Sequence, residues 1–533
     1  MIDVVIVGSG ASGVHAAWPL VEAGLSVLML DVGNRDDRYA GLIPDKPFTR
    51  IRREDAGQHR YFLGDEFEGV PLRRVRVGAQ LTPPRRHVSR GAAGHEPLEA
   101  RGFAGLESLA AGGLGAGWGA GVARFTAADL ARTPLKPADL APHYDAVERR
   151  IGISGEQDDL SAELGDHAGM MPPLPVDAGA ARIFDAYRGR RAELNAIGLR
   201  LGVSRLAACS QAFQGRGPHR LDDLDFWADK ARAVYRPQWT LDDLRKRSNF
   251  WYMDRWLVQR FRERDGGVEV EARNVDSGES ETVRASRLVL AAGVMGTARI
   301  VLRSLGLYDR PVPLVANPYT YAPCVNVGML GREASDARHS LAQLTAVLAP
   351  PGERPLHTSV YSYGSLLTFK LMKEAPIAAA SARVLMRALI PALAILGIHH
   401  ADDPTPAKRL RLVRGAREGE DRLVVEYGLS DAERARIDAA ERLLLRAFRR
   451  MGCLALKRID PGNGSSIHYG GTFPMAADPA DLQTSSTGLL SGTGAVYLAD
   501  GSVLPDLPAK GPTLTLMAGA DRIGTMLARS LAR

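Results

Sequence analysis

Short apolar runs separated by glycines open the chain. Val4–Val7 is a run of β-branched residues, which is typical of a strand buried on both faces of a parallel sheet. The stretch that follows has helical character to about Ala23, and Gly24 is well placed to end that helix. A second apolar run, Val27–Leu30, is followed by Asp31. The pattern therefore predicts a strand, a helix and a second parallel strand.

The turn between the first strand and the helix has the form G-x-G-x-x-G. Its residues are Gly8, Ser9, Gly10, Ala11, Ser12 and Gly13. Gly8 permits the tight turn, Gly10 lets a pyrophosphate approach the backbone, and Gly13 lets the helix pack closely on the strand. Asp31 follows about 20 residues later, where an acid accepts hydrogen bonds from a ribose. A purely structural glycine turn is the alternative, but the strand, the helix and the acid together favour a dinucleotide site.

Three later patterns predict elements of a second, mixed unit of sheet and helix. Residues Ala180–Leu199 have helical character, and Leu410–Tyr427 predicts a hairpin around Gly419. Ser430–Glu433 has the form of a capping box, which predicts a helix running to about Met451.

The segment Ala375–Ile398 is unusually apolar, although it carries Arg383 and Arg387 and is interrupted by Pro391. Its uncharged part is too short to span a bilayer. Three interpretations stay open: a buried helix, a lid or apolar substrate entrance, and an anchor lying in a membrane surface.

Composition and charge narrow the function classes. The chain has 533 residues, 68 of them Lys or Arg and 61 Asp or Glu, with a formal net charge of +7. The charges are interspersed, and no basic run with interleaved aromatic residues is present, so we expect no nucleic-acid partner. Attraction to an anionic lipid or substrate fits the excess better.

Cysteine and histidine spacing predicts no metal site. Cys209, Cys324 and Cys453 lie far apart in the sequence, which disfavours a disulfide framework, a zinc site or an iron–sulfur cluster and indicates a reducing compartment. The pair at His399 and His400 has no third ligand at suitable spacing. The first strand starts at once, so we also expect no secretion signal.

Three segments resemble the glucose–methanol–choline (GMC) family of FAD-dependent oxidoreductases. Gly112–Gly119 is similar to the glycine-rich stretch along the flavin, in a form nearest the pyranose-oxidase branch, and an Asp-Leu-Ala-Pro-His-Tyr-Asp run from Asp139 follows it. Arg287–Thr297 resembles the strand and turn that return the chain to the FAD domain. The C-terminal signature is represented by His468–Met475, Val496–Pro505 and Pro512–Thr515.

The resemblance implies an α/β protein with a discontinuous Rossmann-like FAD-binding domain and a second substrate domain of mixed-sheet α+β type. Residues 1–155, including a lid segment at 36–110, would form the FAD-binding domain together with 246–305 and 461–533, the last of which holds the catalytic histidine. Residues 156–245 and 306–460 would form the substrate domain.

The resemblance also implies the cofactor and the residues that contact it. FAD would lie against Gly8, Gly10, Ala11, Ser12, Gly13, Asp31, Gly113, Gly117, Trp118, Ala292, Gly293, Asp500, Gly501, Pro512 and Thr513. Some relatives carry, just before the tryptophan of the glycine-rich stretch, a histidine that is bonded to the flavin. Gly117 holds that place here, so we expect non-covalent FAD.

His468 matches the family's catalytic histidine. Oxidation of an alcohol needs a group that accepts the hydroxyl proton, and an imidazole suits this task. The expected reaction is oxidation of a CH–OH group of a sugar, a polyol or a lipophilic alcohol by hydride transfer to flavin N5. The alternative is a histidine that only hydrogen-bonds the flavin edge.

The sequence departs from the family at position 511. Family members usually have a second His or Asn directly before the Pro-Thr pair, where this chain has Lys510 followed by Gly511. Lys510, a water or a residue of the substrate domain could fill the gap, and a surface role for Lys510 is the alternative. Atypical or lyase-like chemistry on bound FAD is the second functional hypothesis.

The remaining predictions concern partners and location. The substrate would be a small alcohol or sugar, and oxygen, a quinone or another carrier would accept the electrons. We expect a cytoplasmic protein. Contact with the inner face of the membrane through residues 375–398 is an alternative, which would suit a flavoprotein serving another protein's redox needs.

Overall fold

The computed structural model describes residues 2–36, 38–67, 69, 81, 83–167, 169–332, 337–362, 389–415 and 420–531. The helices are α1 (Ala11–Glu22), α2 (Phe48–Glu54), α3 (His59–Phe62), α4 (Ala92–His95), α5 (Pro137–Ile151), α6 (Ser161–Leu164), α7 (Ala178–Gly189), α8 (Arg191–Ala196), α9 (Pro237–Leu244), α10 (Val294–Ser304), α11 (Asp431–Arg450) and α12 (Thr513–Leu531). The strands are β1 (Ile2–Val7), β2 (Val27–Leu30), β3 (Leu98–Arg101), β4 (Leu199–Val203), β5 (Phe250–Met253), β6 (Trp256–Arg264), β7 (Gly267–Asn274), β8 (Ser280–Leu290), β9 (Val312–Pro313), β10 (Val315–Ala316), β11 (Tyr319–Asn326), β12 (Leu344–Leu348), β13 (Leu356–Ser362), β14 (Leu393–His399), β15 (Lys408–Val413), β16 (Arg422–Tyr427), β17 (Cys453–Ala455), β18 (Tyr469–Gly470) and β19 (Val496–Leu498).

The large sheet has seven strands in the order β5-β2-β1-β8-β7-β6, with β19 paired to β8. Strand β1 lies parallel to both β2 and β8. Alternate residues of β1 enter two different apolar clusters, Val5 and Val7 on one face and Val4 and Ile6 on the other. A strand covered on both faces needs apolar residues at every position, which explains the unbroken apolar run. The predicted strand–helix–strand start is confirmed.

The second sheet is antiparallel, with the order β17-β11-β14-β13-β12-β4. One face is apolar and packs on α7 and α11, with Ala322, Leu396 and Val360 among its buried residues. The opposite face carries polar and aromatic side chains at the alternate positions, as the two-residue period of a strand requires. This second face lines the cavity described below.

The hairpin and the capped helix predicted near the C-terminal half are confirmed. Strands β15 and β16 pair antiparallel and belong to a small sheet with the order β3-β16-β15-β9. Gly419, the predicted turn residue, lies outside the described residues. Ser430 caps α11, and Glu433 completes the capping box. The expected helical stretch at Ala180–Leu199 is present as α7 and α8, after which the chain enters β4.

The apolar segment 375–398 differs from the expected helix in the part that is described. Residues 375–388 lie outside the described residues, whereas Leu393–His399 forms β14. This strand lies between β11 and β13 and is hydrogen-bonded on both sides. Pro391 precedes it and disfavours a continuous helix, so the helix prediction is wrong for this part. Among the described residues, no helix is long and apolar enough to cross a membrane.

Helices α1 and α12 cross at a glycine. A Cβ atom on Gly524 would lie 2.3 Å from the Ala16 carbonyl oxygen and 2.8 Å from Pro19 Cγ. Gly519, in the same helix, has nothing within 4 Å of the equivalent position. Both glycines lie inside α12, but only Gly524 is packed against another helix. Substitutions at the two positions can therefore be compared directly.

We predict that Gly524→Ala lowers the free energy of unfolding by about 1–3 kcal/mol, because the added methyl group forces the helices apart. Gly519→Ala should leave stability unchanged or raise it by up to about 1 kcal/mol. Urea unfolding of the two variants measures the difference. Equal destabilisation would show that the helix contact is not the cause.

Candidate active site

A cavity of about 830 Å³ is lined by residues of both the large and the second sheet. Its lining includes the glycine turn after β1, the residue after β2 and the start of α10, all at the carboxyl edge of the large sheet. Ligands of open α/β sheets bind at this edge. The same cavity continues to the polar face of the second sheet and to His468.

The glycine turn is shaped for an anionic ligand. Gly8 has φ +93, and a Cβ there would lie 2.6 Å from the Ala291 carbonyl oxygen. A Cβ on Gly13 would lie 1.9 Å from the Gly8 carbonyl oxygen. The first residue before α1 is Gly10, and no side chain caps the helix. Its backbone N–H groups are therefore available to a phosphate, and Ala11 and Ser12 also line the cavity.

Asp31 lies at the end of β2, as predicted, and lines the cavity. Its Oδ2 accepts hydrogen bonds from the Ser9 backbone N–H at 3.3 Å, from the Ser9 hydroxyl and from the Tyr252 hydroxyl at 3.3 Å. Burial raises the pKa of Asp31 to about 6, although these hydrogen bonds oppose the shift. Ser9 Oγ also accepts from the Gly112 N–H at 2.9 Å, so one hydroxyl connects the two glycine-rich stretches.

The second glycine-rich stretch lies directly against the first. Gly113 begins a short 3₁₀ helix that ends at Gly117, and a Cβ on Gly113 would lie 3.3 Å from the Gly10 Cα atom. Trp118 lines the cavity, while its indole N–H donates to the Tyr235 carbonyl at 2.7 Å. This close backbone contact favours glycine at position 113.

The remaining predicted cofactor residues meet around Asp500. Its carboxylate accepts from the Thr297 hydroxyl at 2.5 Å and from the Ser502 N–H at 3.0 Å, and burial raises its pKa. Gly293, with φ +78, precedes α10, and a Cβ on Gly501 would lie 2.5 Å from the Tyr469 carbonyl oxygen. Fourteen of the fifteen predicted cofactor residues line the cavity. The exception is Gly13, which packs against the backbone of Gly8. The members of this last group that line the cavity are Ala292, Gly293, Asp500, Gly501, Pro512 and Thr513.

These features fit an FAD. The uncapped start of α1 suits a pyrophosphate, and Asp31 offers an acceptor at the place where a ribose would lie. The glycines leave open the space that side chains would fill. The cavity then extends far enough to reach His468.

His468 lies in the cavity wall in a fixed orientation. Its Nδ1 is 3.1 Å from Asn317 Oδ1. The Asn317 side-chain NH₂ donates to the carbonyls of His400 at 2.8 Å and Pro508 at 2.9 Å. Both amide hydrogens are thereby used, so Oδ1 faces the imidazole as an acceptor and Nδ1 must carry the proton. Nε2 is left with its lone pair.

The electrostatic surroundings keep His468 neutral. Burial lowers its pKa to about 4. A Cβ on Gly511 would lie 3.7 Å from Cε1 and 3.9 Å from Nε2 of His468. The position at which the family usually has a second His or Asn is thus beside the free edge of the imidazole, and in this chain it has no side chain.

Lys510 does not fill that gap. Its ammonium group forms an ion pair with Asp129, with 4% of its side chain exposed. Asp129 also accepts hydrogen bonds from the backbone N–H and the hydroxyl of Thr126. Lys510 is therefore paired within the protein and is absent from the cavity wall, which Gly511 lines. We do not assign it a catalytic role.

The polar face of the second sheet, which lines the cavity, could not be recognised directly from the sequence. Tyr319 on β11 lies opposite His399 on β14, and His399 lies opposite His357 on β13. The next row includes Tyr321 and Ser359. These residues line the cavity. The alternation of polar residues within each strand indicates that one face of the strand is polar. It does not indicate which strands pair to form that face.

The histidines at 399 and 400 do not form a metal site. They lie on opposite faces of the second sheet, since His399 lines the cavity and His400 Nε2 is 3.0 Å from Glu441. Within the described ranges, no group of three His, Cys, Asp or Glu side chains could hold a metal ion.

The fold and the site suit a dinucleotide cofactor, and comparisons with known proteins point to an oxidoreductase. Residues 404–520 match the family model described as GMC oxidoreductase. The chain is 26% identical to paromamine 6'-oxidase of Streptomyces fradiae over 99% of its length and 92% of that protein. It is also 26% identical to 6'''-hydroxyparomomycin C oxidase of Streptomyces lividus, with the same coverage.

Solved structures agree in fold. Pyridoxine 4-oxidase from Mesorbium loti matches with a TM-score of 0.59 at 17% identity, covering 100% of this chain and 99% of that one. An FAD-dependent oxidoreductase from Chaetomium thermophilum matches with a TM-score of 0.61 at 15% identity, covering 100% of both chains. The chain is thus similar to GMC oxidoreductases in its C-terminal part and to two named oxidases over nearly its whole length, and it shares its fold with these two solved structures.

Proposed function

We propose that the chain oxidises a CH–OH group of a sugar-like or polyol substrate, with non-covalent FAD as cofactor and His468 as base. The observation that carries the proposal is the orientation of His468, whose Nδ1 is held by Asn317 at 3.1 Å in the wall of the cavity that begins at the glycine turn. When bound, FAD supplies the acceptor for the hydride that leaves the carbinol carbon.

The residues of the chain provide for the proton. Asn317 keeps the proton of His468 on Nδ1, so Nε2 can accept the hydroxyl proton of an alcohol. Loss of that proton and of the hydride converts the C–OH group into a carbonyl. Burial disfavours the charged imidazole, so His468 keeps its neutral form.

The substrate class is supported by the polar face of the second sheet and by the relatives' names. Tyr319, Tyr361 and Ser359 place hydroxyl groups in the cavity wall, and aromatic rings with hydroxyls suit a molecule that has several OH groups. Paromamine 6'-oxidase is named for a reaction on such a compound. That relatives are named oxidases favours oxygen as the electron acceptor.

A lyase-like reaction on bound FAD is the second candidate, because Gly511 leaves the usual catalytic pair incomplete. Anaerobic mixing with alcohols separates the two. Loss of flavin absorbance at about 450 nm requires net oxidation of the alcohol. A lyase reaction leaves the flavin absorbance unchanged.

We predict that acid precipitation releases all of the FAD. Gly117 offers no side chain that could bond to the flavin, and its Cβ position faces Leu81 at 3.1 Å. Absorbance of the supernatant and the pellet measures the release. Yellow colour retained in washed, denatured pellets would contradict non-covalent attachment.

His468→Ala should slow anaerobic flavin reduction by about 10²–10⁴-fold, since a positioned base contributes this much to proton transfer. FAD content should stay at the wild-type level. His59→Ala is the control, because His59 lies in α3 and is absent from the cavity wall. Stopped-flow absorbance over a panel of paromamine, pyridoxine, D-glucose and benzyl alcohol provides the rates. Equal rates in wild type and His468→Ala would refute the assigned base.

The rate of flavin reduction should be constant near neutral pH and fall as the pH drops through about 4. The base must be neutral to accept a proton, and burial lowers the pKa of His468 to about 4. His357 and His399 face it with lowered pKa values of their own. Stopped-flow rates between pH 3.5 and about 8, with circular dichroism at each pH, separate this limb from acid unfolding. A limb centred near 6.5 would contradict a buried base.

A further inference from the structure

Position 511 leaves one side of the substrate oxygen without a partner from the C-terminal segment. An alcohol oxygen that loses its proton gains negative charge, and a hydrogen-bond donor aimed at it stabilises that charge. His468 cannot be this donor, because its Nε2 has the lone pair that takes the proton. The second sheet is the opposite wall of the cavity and holds candidate donors.

His399 is the side chain of that wall that lies against His468. The two rings are stacked, with centroids 5.1 Å apart and an interplanar angle of 22°. The position of His399 is fixed by β14, where it pairs with Tyr319 on one side and His357 on the other. The Tyr319 ring supports it at a centroid distance of 4.6 Å.

Neither nitrogen of His399 has a hydrogen-bond partner among the residues that the structure describes. Nδ1 is buried without a hydrogen-bond partner, and within the part of the chain that the structure describes no partner is found for Nε2 either. The ring lines the cavity, so Nε2 is the nitrogen that can reach a ligand. A buried polar group left unpaired in a native structure calls for an explanation, and a ligand or a catalytic role is one.

The charge state of His399 suits a donor. Burial lowers its pKa well below the ordinary value, and the neighbouring His468, His357 and His400 lower it further. The neutral ring has one N–H and one lone pair. With the proton on Nε2, His399 donates where His468 accepts, and the two stacked rings form a complementary pair.

We propose that His399 is a second catalytic residue, which donates a hydrogen bond from Nε2 to the substrate oxygen and replaces the side chain that Gly511 lacks. The assignment rests on the proposed function. It accounts for the loss of the family's usual His or Asn without a change of reaction type.

The first experiment measures anaerobic flavin reduction with the fastest alcohol of the panel given above. His399→Phe keeps a stacked ring without nitrogen and should reduce the rate by about 10²–10³-fold, the usual loss for one donor to a developing oxyanion. His399→Gln places an amide nitrogen near the Nε2 position and should lose much less. His399→Asn places its nitrogen near the Nδ1 position and should behave like His399→Phe.

A rescue experiment tests the link to position 511. Gly511→Asn adds an amide beside His468, where a Cβ meets atoms no closer than 3.7 Å. In the His399→Phe background it should restore part of the rate. A structural role for His399 would give equal losses for the Gln and Asn variants and no rescue, and that result would overturn the assignment.

The second measurement does not depend on turnover. Nitrogen NMR of the FAD-loaded protein, with histidine rings labelled with ¹⁵N and the signal identified by its loss in His399→Phe, reports the tautomer. We expect a neutral ring at pH 7 with Nε2 protonated for His399 and with Nδ1 protonated for His468. A charged His399, or one with Nε2 unprotonated, would overturn the proposal. If no alcohol reduces the wild type, the proposed function fails, and the NMR result alone decides whether His399 is a donor.

Discussion

The Asn317 side chain imposes the constraint on which the site depends. Its amide hydrogens are both taken, by the His400 and Pro508 carbonyls, so its oxygen has only one orientation. That orientation decides which nitrogen of His468 carries the proton. Because Asn317 precedes β11 and is fully buried, the same hydrogen bonds tie the second sheet to the C-terminal segment. The hydrogen bonds that set the tautomer of His468 are therefore the same ones that join the second sheet to the C-terminal segment.

The dinucleotide end of the site could be predicted from sequence because its signals are local. Val4–Val7, the glycine turn and Asp31 lie within one strand–helix–strand unit, where spacing alone brings the residues together. The capped helix from Ser430 is local in the same way. The domain boundaries inferred from family resemblance stay predictions, although strands from both ends of the chain do meet in the large sheet.

The substrate end could not be predicted, for two physical reasons. Tyr319, His357 and His399 come from strands whose pairing is antiparallel and distant in sequence, and a two-residue period does not say which strands become neighbours. An apolar run such as Leu393–Ile398 fits a buried strand as well as a helix. The glycine next to Lys510 makes this lysine a catalytic candidate in the sequence, but in the structure it forms an ion pair with Asp129.

The wall of the cavity also has a consequence for biogenesis. It is assembled from Gly8–Ser12 near one end of the chain, Tyr319 and Tyr321 in the middle, and Pro512 and Thr513 near the other end. A coenzyme that fills this space binds the native state and not the unfolded one, and mass action then favours the native state. Closing such long stretches of polypeptide carries an entropic cost that the coenzyme's contacts help to offset. Chains that hold the coenzyme should therefore unfold less often, and so be open to proteolysis less often, than chains without it.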